Sequence, residues 1–243
     1  AGIPGRDPLL DYRHPVGLTL TDHIQDTLMN IHDRATIDIH GKKIVVLGLA
    51  LSGAASAKLA ARKGADVFVS DNQDTLALQG TLTDLKALGI TGELGQHSDK
   101  IYDADLWIIS PGIAQDSKLV QKAQSNDIPI ISEIEFASWF TEAPILAITG
   151  SNGKTTTAHL LAEMIQTDDL HGILAGNVGI PFAAMVLEDL EDPDSKRVWI
   201  LEISSFQMEF IAHFKPYIAI FLNMTPDHLN RYPSMKEYIA AKM

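Results

Sequence analysis

Short apolar runs alternate with longer amphipathic stretches along most of this 243-residue chain. The first run, Ile44 to Leu47, precedes Gly48, an alanine-rich helical stretch at 52–63 and a second strand-like run at 66–70. This order predicts a strand, helix, strand unit. Further predicted strands lie at 106–110 and 128–131, with predicted helices at 75–89 and 116–126. The pattern therefore indicates a mostly parallel sheet with helices between its strands.

A second series of the same kind begins at residue 143. It predicts a strand at 145–149, a glycine-bearing loop at 150–153 and a helix at 154–166. Two more strands are predicted at 198–203 and 217–222. The two series place the chain in the α/β class, with one domain over 41–142 and another over 143–243. Residues 1–40 carry three early prolines and one helical pattern, at 22–34, and stay unassigned.

Composition narrows the classes of function. The formal net charge is -12, from 31 acidic and 19 basic residues, which argues against nonspecific binding to nucleic acid or anionic membranes. A phosphate group would therefore have to be held locally. The sequence has no cysteine, so no disulfide is possible, and no apolar run approaches the roughly 18 residues that cross a bilayer. We expect a soluble cytoplasmic protein.

The strongest chemical signal is a loop that directly follows a predicted strand and opens a predicted helix. Backbone N–H groups and the positive end of a helix dipole then point at a polyphosphate. Lys154 would reach the β and γ phosphates of ATP, and the Thr155 hydroxyl would ligate Mg²⁺. Ile148 replaces the usual first glycine, and an ordinary turn containing Gly-Lys-Thr remains the alternative. The predicted ATP-binding residues are Gly150, Ser151, Asn152, Gly153, Lys154, Thr155 and Thr156.

A second glycine-containing loop, Gly48 to Gly53, lies between the first strand and its helix. Asp71 ends the next strand about 20 residues later, which imitates a dinucleotide fingerprint. An NAD-dependent oxidoreductase is therefore one alternative function. Ala50 replaces the middle glycine, so a pyrophosphate can approach this backbone less freely. Simple packing of a helix on a strand would explain the same small residues.

The loop at 150–156 resembles the ATP loop of the Mur ligases. Four further segments occur in the same order as in that family, at Ser110–Ile113, Gly176–Gly179, Leu201–Gln207 and Asn223–Tyr232. The resemblance covers residues 42–243, and the Ser-Ser-Phe-Gln run at 204–207 is similar to the members that add D-glutamate. Another amino-acid choice within the family remains an alternative. Two departures are Ala50, where glycine is common, and Asn230, where aspartate is usual.

The resemblance implies a domain organisation. Residues 41–142 would form a Rossmann-like domain for a UDP-linked precursor, and residues 143–243 a P-loop-type α/β ATPase domain. That second domain is expected to be incomplete, and the family's third, closing domain is expected to be absent from this chain. The isolated chain would then be inactive as a ligase, which leaves a non-catalytic module that binds UDP-precursor and ATP as a further alternative.

The resemblance also implies a reaction. A carboxylate of UDP-N-acetylmuramoyl-L-alanine would attack ATP to give an acyl phosphate, which the amine of D-glutamate would open. Both steps build negative charge and need metal ions and donors. The implied catalytic residues are Lys154, Glu202, His228 and Lys242. The implied Mg²⁺ ligands are Thr155, Glu202, His228 and Lys242, the last as a carbamate.

Each of these residues also has an ordinary interpretation. A glutamate on an otherwise apolar strand is costly to bury unpaired, which favours a ligand role for Glu202 over a salt-bridged edge position. His228 could be a surface histidine, and Lys242 a solvated helix residue. The resemblance places the UDP group near Leu51, Ser52, Asp71 and Gly112, and assigns substrate orientation to Asn177, Ser204 and Gln207. Capping or turn hydrogen bonds are the alternative for the last three.

Overall fold

The computed structural model describes residues 37–194, 196–228 and 231–242. The helix predicted at 22–34 and the departure at Asn230 lie outside these described residues. Within them the chain forms two sheets, and every strand pairing in both is parallel. The predicted α/β class is therefore confirmed.

The first sheet has the strand order β3-β2-β1-β4-β5. Its strands are β1 Lys43–Leu47, β2 Asp66–Asp71, β3 Thr91–Leu94, β4 Leu106–Ile109 and β5 Ile130–Ser132. Its helices are α1 Leu51–Arg62, α2 Leu76–Ala87, α3 Lys118–Ser125 and α4 Glu133–Ser138, with a 3₁₀ turn at Asp99–Tyr102. The strand β3 and the helix α4 were not predicted.

The central strands read as continuous apolar runs because both faces of the sheet are covered. All four residues of β4 are buried, as are the last four of β1. The helix α1 approaches β1 closely at Gly53, where an added Cβ would lie 1.8 Å from the carbonyl oxygen of Gly48. The alanine-rich composition of α1 thus serves close packing on the sheet.

The second sheet has the order β7-β8-β6-β9. Its strands are β6 Ile145–Thr149, β7 His171–Gly176, β8 Arg197–Glu202 and β9 Ile218–Phe221, and its helices are α5 Lys154–Ile165, α6 Phe182–Glu191, α7 Ser205–Met208 and α8 Met235–Ala240. Because all strands are parallel, the loops that follow them gather at one edge of each sheet. These carboxyl edges carry the candidate site residues.

The two sheets share a continuous apolar core. Helix α6 packs against α1 and α4, and one buried cluster joins residues of β1 and α1 to Phe182 and Trp199 in the second series. In return, Phe210 of the second series lies in an apolar cluster with Leu47 and Trp107 of the first sheet. None of the helices in the described ranges combines the length and the apolar character needed to cross a bilayer.

Candidate nucleotide and metal site

Two glycines shape the loop between β6 and α5. Gly153 directly precedes α5 with a φ of +83°, and Gly150 has a φ of +147°. A Cβ at Gly150 would also lie 3.1 Å from the Cβ of Leu222. Side chains are disfavoured at both positions, so the loop needs these glycines to turn from the strand into the helix.

The segment after β9 holds this loop in place. Asn223 accepts from the N–H of Ser151 at 3.0 Å through its carbonyl, and from the N–H of Asn152 at 2.9 Å through its side chain. The Ser151 hydroxyl donates to the carbonyl of Thr225 at 2.9 Å. The N–H groups of residues 154–156, in the first turn of α5, lack intrahelical acceptors and can face a phosphate.

Two lysines converge on the same carbonyl group of the loop. The carbonyl of Gly150 accepts from Lys154 Nζ at 2.9 Å and from Lys242 Nζ at 3.0 Å. Lys242 also donates to Thr149 Oγ1 at 3.1 Å and is only 4% exposed. Burial, and secondly the charge of Lys154, lower the pKa of Lys242 to about 8. The solvated-helix interpretation of Lys242 is therefore wrong.

Glu202 lies at the carboxyl end of β8 and contacts two other predicted residues. It is 3% exposed, and its carboxylate accepts from Thr155 Oγ1 at 2.7 Å and from Asn177 Nδ2 at 3.1 Å. The pairing of the strands brings these side chains together, because Glu202 is in register with Ile148 of β6 and Gly176 of β7. The loops after those two strands carry Thr155 and Asn177.

The Thr155 and Glu202 oxygens suit a magnesium ion. Mg²⁺ prefers hard oxygen ligands in an octahedron, where adjacent ligands at 2.0–2.1 Å from the metal are about 2.9 Å apart. The observed separation of 2.7 Å is close to this value. Glu202 makes no salt bridge with any residue of the described ranges, so its charge is available to a cation.

His228 lies beside a different set of side chains. Its Nε2 is 3.4 Å from Asp227 Oδ2, and its ring centroid is 4.7 Å from that of Phe206. Tyr238 connects this region to the loop, because its ring lies 6.2 Å from His228 and its hydroxyl 3.2 Å from Ser151 Oγ. Among the residues with described positions, no three His, Asp or Glu side chains form a metal-binding group.

The loops of the first sheet meet next to Asp71. Its two carboxylate oxygens accept from the N–H groups of Leu49, at 2.7 Å, and Gln73, at 2.9 Å. An added Cβ at Gly48 would lie 2.6 Å from the Cβ of Ser110, so the loops after β1 and β4 are in contact. Around them, Leu51 is 78% exposed, Ser52 is half-buried and Gly112 borders open space. This is the point where the strand order reverses, which is where open α/β sheets bind ligands.

Ser204 and Gln207 take part in a capping box at the start of α7. The Ser204 hydroxyl accepts from the N–H of Gln207 at 3.3 Å, and Gln207 Oε1 accepts from the N–H of Ser204 at 3.0 Å. The structure therefore shows the capping contacts that the sequence left as the alternative. The box fixes the direction of the chain immediately after Glu202.

Several residues of this region were not singled out from the sequence. Glu133 and Glu135 on α4 are buried, at 3% and 0% exposure, and both contact backbone N–H groups of the second series. Glu209 binds Arg231 and Tyr232. The sequence could have indicated Glu133 and Glu135, because these carboxylates alternate with the apolar Ile134 and Phe136. A charge in such an apolar setting is costly unless it is paired.

Both parts of the chain are similar to known protein domains. Residues 42–132 match the Mur ligase MurD-like N-terminal domain, and residues 148–243 match the Mur ligase middle domain. The UDP-N-acetylmuramoylalanine–D-glutamate ligase of Chloroherpeton thalassium is 42% identical over 215 residues, which cover 84% of this chain and 44% of that protein. The enzyme of the same name from Christiangramia forsetii is 43% identical over 210 residues, covering 83% of this chain and 44% of that protein. The chain thus spans less than half the length of these relatives.

A solved structure shows the same fold. The UDP-N-acetylmuramate:L-alanyl-gamma-D-glutamyl-meso-diaminopimelate ligase of Neisseria meningitides superimposes with a TM-score of 0.53 at 21% identity. The superposition covers 83% of this chain and 66% of that protein.

Proposed function

Because this chain belongs to the Mur ligase family, we propose that it forms the nucleotide-binding part of an ATP-dependent ligase. The ligase joins D-glutamate to UDP-N-acetylmuramoyl-L-alanine in the cytoplasm, as a step in building peptidoglycan precursors. The names of the relatives with 42% and 43% identity support this choice of substrates. We further propose residues 41–142 as the UDP-precursor domain and 143–243 as the ATP domain.

The reaction has two steps that balance without an added oxidant or reductant. A carboxylate oxygen of the precursor forms a bond to the γ-phosphorus of ATP, and the bond from that phosphorus to the β,γ-bridging oxygen breaks, which releases ADP. The amine of D-glutamate then forms a bond to the acyl carbon, phosphate leaves, and the amine loses a proton. Both steps concentrate negative charge on oxygens that need nearby donors and cations.

The loop residues account for phosphate binding. The first-turn N–H groups of α5 and the Lys154 ammonium bind the β and γ phosphates, with Gly150, Ser151, Asn152 and Gly153 shaping the loop. Thr155 and Glu202 hold Mg²⁺, which supplies positive charge to the phosphate oxygens when bound. The single observation that carries the proposal is the 2.7 Å contact between Thr155 and Glu202 at the start of α5.

The remaining predicted residues are assigned by resemblance. His228 and Lys242 belong to a second metal position, with Lys242 as a carbamate. The burial of Lys242 and its lowered pKa support this assignment, because the neutral amine is the form that reacts with CO₂ and the resulting carbamate carries the charge that attracts a cation. Leu51, Ser52, Asp71 and Gly112 contact the UDP group, and Asn177, Ser204 and Gln207 orient the precursor. We propose that the 243-residue chain alone does not turn over, since closure over ATP requires further protein.

Lys154→Ala tests the phosphate loop in the complete protein that carries this sequence. We expect loss of ADP release by about 100-fold or more, because a charge that stabilises the transferred phosphoryl group is removed. Calorimetric binding of the UDP precursor should stay within about twofold, because its UDP group binds at the first sheet and Lys154 is not among the residues proposed to contact the precursor. Lys58→Ala is the matched control, since Lys58 is exposed on α1. Equal ADP release by Lys154→Ala and Lys58→Ala would refute the loop assignment.

A further inference from the structure

Helix α4 belongs to the first series, yet its buried carboxylate Glu135 binds the second. Glu135 Oε2 accepts from three consecutive backbone N–H groups, those of Ala212 at 3.0 Å, His213 at 2.9 Å and Phe214 at 2.7 Å. Its other oxygen, Oε1, accepts from Trp139 Nε1 at 2.8 Å. With 0% exposure, Glu135 is a buried carboxyl group, and its partners within the described ranges are all N–H donors.

These three N–H groups belong to a loop between α7 and β9 that we call the bridging segment, residues 209–214. Further contacts of this segment also reach the first series. The Phe210 side chain lies in the apolar cluster of β1 and β4, and the Phe210 carbonyl accepts from the N–H of Ser132 at 2.9 Å. Gln115 Nε2 donates to the carbonyl of Glu209. The segment is thus attached to the first series at several positions along its length.

The bridging segment also leads directly to the candidate site. It follows α7, which begins three residues after Glu202. Its first residue, Glu209, accepts from Arg231 Nε at 3.1 Å and from the Tyr232 hydroxyl at 2.7 Å. Arg231 in turn donates to the carbonyl of Ile113, at the end of the Ser110–Ile113 loop of the first sheet, at 3.0 Å. A shift of the segment would therefore change the distance between the carboxyl edges of the two sheets.

We propose that Glu135 is a positioning residue, which fixes the bridging segment and thereby sets the distance between the precursor site and the Thr155–Glu202 pair. This inference rests on the proposed function, in which a carboxylate held by one sheet must reach the γ-phosphate held by the other. A misplacement of about 1 Å can lower the rate of such a step about 100-fold. A change at Glu135 should therefore lower turnover without changing how tightly either substrate binds on its own.

The position requires a carboxylate. Each oxygen of Glu135 faces N–H donors, with three backbone groups on one side and the Trp139 indole on the other. A glutamine amide has one acceptor and one donor, so its NH₂ group must face a donor whichever way it turns. Removing the indole N–H relieves that conflict on one side, which makes Trp139→Phe the partner change for Glu135→Gln.

The experiment compares Glu135→Gln, Trp139→Phe and the double variant in the complete protein, with Glu142→Gln as an exposed control. Glu135→Gln should lower kcat about tenfold or more, while KM for ATP and for the precursor stays within about twofold. Hydrogen exchange at the amides of residues 212–214 should become faster. The double variant should recover towards Trp139→Phe in both measurements, because the amide can then offer its oxygen to the backbone.

The outcomes separate the two proposals. Unchanged kcat in Glu135→Gln, with or without faster exchange at 212–214, overturns the positioning role. If kcat and hydrogen exchange of the double variant do not return towards the values of Trp139→Phe, the claim that Glu135 must accept from N–H donors on both sides is overturned. The comparison of the double variant with Trp139→Phe still tests the proposal if Glu135→Gln alone does not fold. Absence of precursor-dependent ADP release from the wild-type protein contradicts the proposed function instead. The exchange rates then report independently whether Glu135 holds the segment.

Discussion

Glu133, the first residue of α4, contacts the start of α6, and one of its carboxylate oxygens has no partner in the described part of the protein. The other oxygen accepts from the N–H of Ala183 at 2.5 Å. Burial raises the pKa of Glu133 from 4.5 to about 7, although N–H groups of Ala183 and Phe182 oppose this shift. Between these two values the folded protein binds a proton that the unfolded chain does not bind. The free energy of unfolding therefore falls as pH rises through this window.

Glu133→Gln should remove this pH dependence, because the amide keeps an acceptor for Ala183 and cannot ionise. We expect the variant to gain on the order of 1–3 kcal/mol over the wild type at about pH 8, with little difference at about pH 4.5. Urea unfolding at both pH values measures the effect, with the exposed Glu142→Gln as the control. A difference between variant and wild type that is the same at both pH values would contradict the assignment.

At the residue scale, candidate site residues could be predicted from the sequence where they belong to a local motif. Thr155 and Glu202 were both expected near phosphate, and the structure places them in contact, while their catalytic roles stay predictions. Glu135 could not be found in this way. Its partners are backbone N–H groups 77 to 79 positions further along the chain, and backbone donors leave no signature in a sequence.

At the element scale, strong hydrophobic patterns predicted strands and helices to within one or two residues. The strand β6 and the start of helix α5 lie where the apolar run and the glycine loop placed them. The strand β3 was missed because Thr-Gly-Glu-Leu has little apolar character and forms the edge of the sheet. Helix α4, at six residues, is too short for helical periodicity to be detected and is fixed by tertiary contacts.

Two helical glycines allow a matched test of how α1 packs on the first sheet. Gly53→Ala should destabilise the protein by about 1–3 kcal/mol or more, because its Cβ would lie 1.8 Å from the Gly48 carbonyl oxygen and the backbone must shift. Gly80→Ala in α2 should stabilise it by roughly 0.5–1 kcal/mol, since its Cβ meets no atom within 4 Å. Thermal unfolding of both variants measures the contrast. Equal effects of the two substitutions would contradict the close approach.

At the scale of the whole molecule, apolar clusters with residues of both sheets join the two sheets, and loops that follow their strands contact one another. The alternative of a dehydrogenase fits this arrangement poorly. A dehydrogenase has no need of the phosphate loop at 150–156 or of the Thr155–Glu202 contact beside it, and residues 42–132 and 148–243 match Mur ligase domains. The relation between the sheets could not be predicted from sequence patterns, because it depends on contacts such as those of Phe210 and Glu135 that join distant parts of the chain.

Release of ADP by the complete protein, measured with ATP, Mg²⁺ and the UDP precursor, tests the central claim most directly. We expect release at about 1 per second or faster only when UDP-N-acetylmuramoyl-L-alanine and D-glutamate are both present, with one amide-linked product per ADP. L-Glutamate is the matched control and should give background release. ADP release that is independent of the precursor, or equal with L-glutamate, would contradict the proposed ligase.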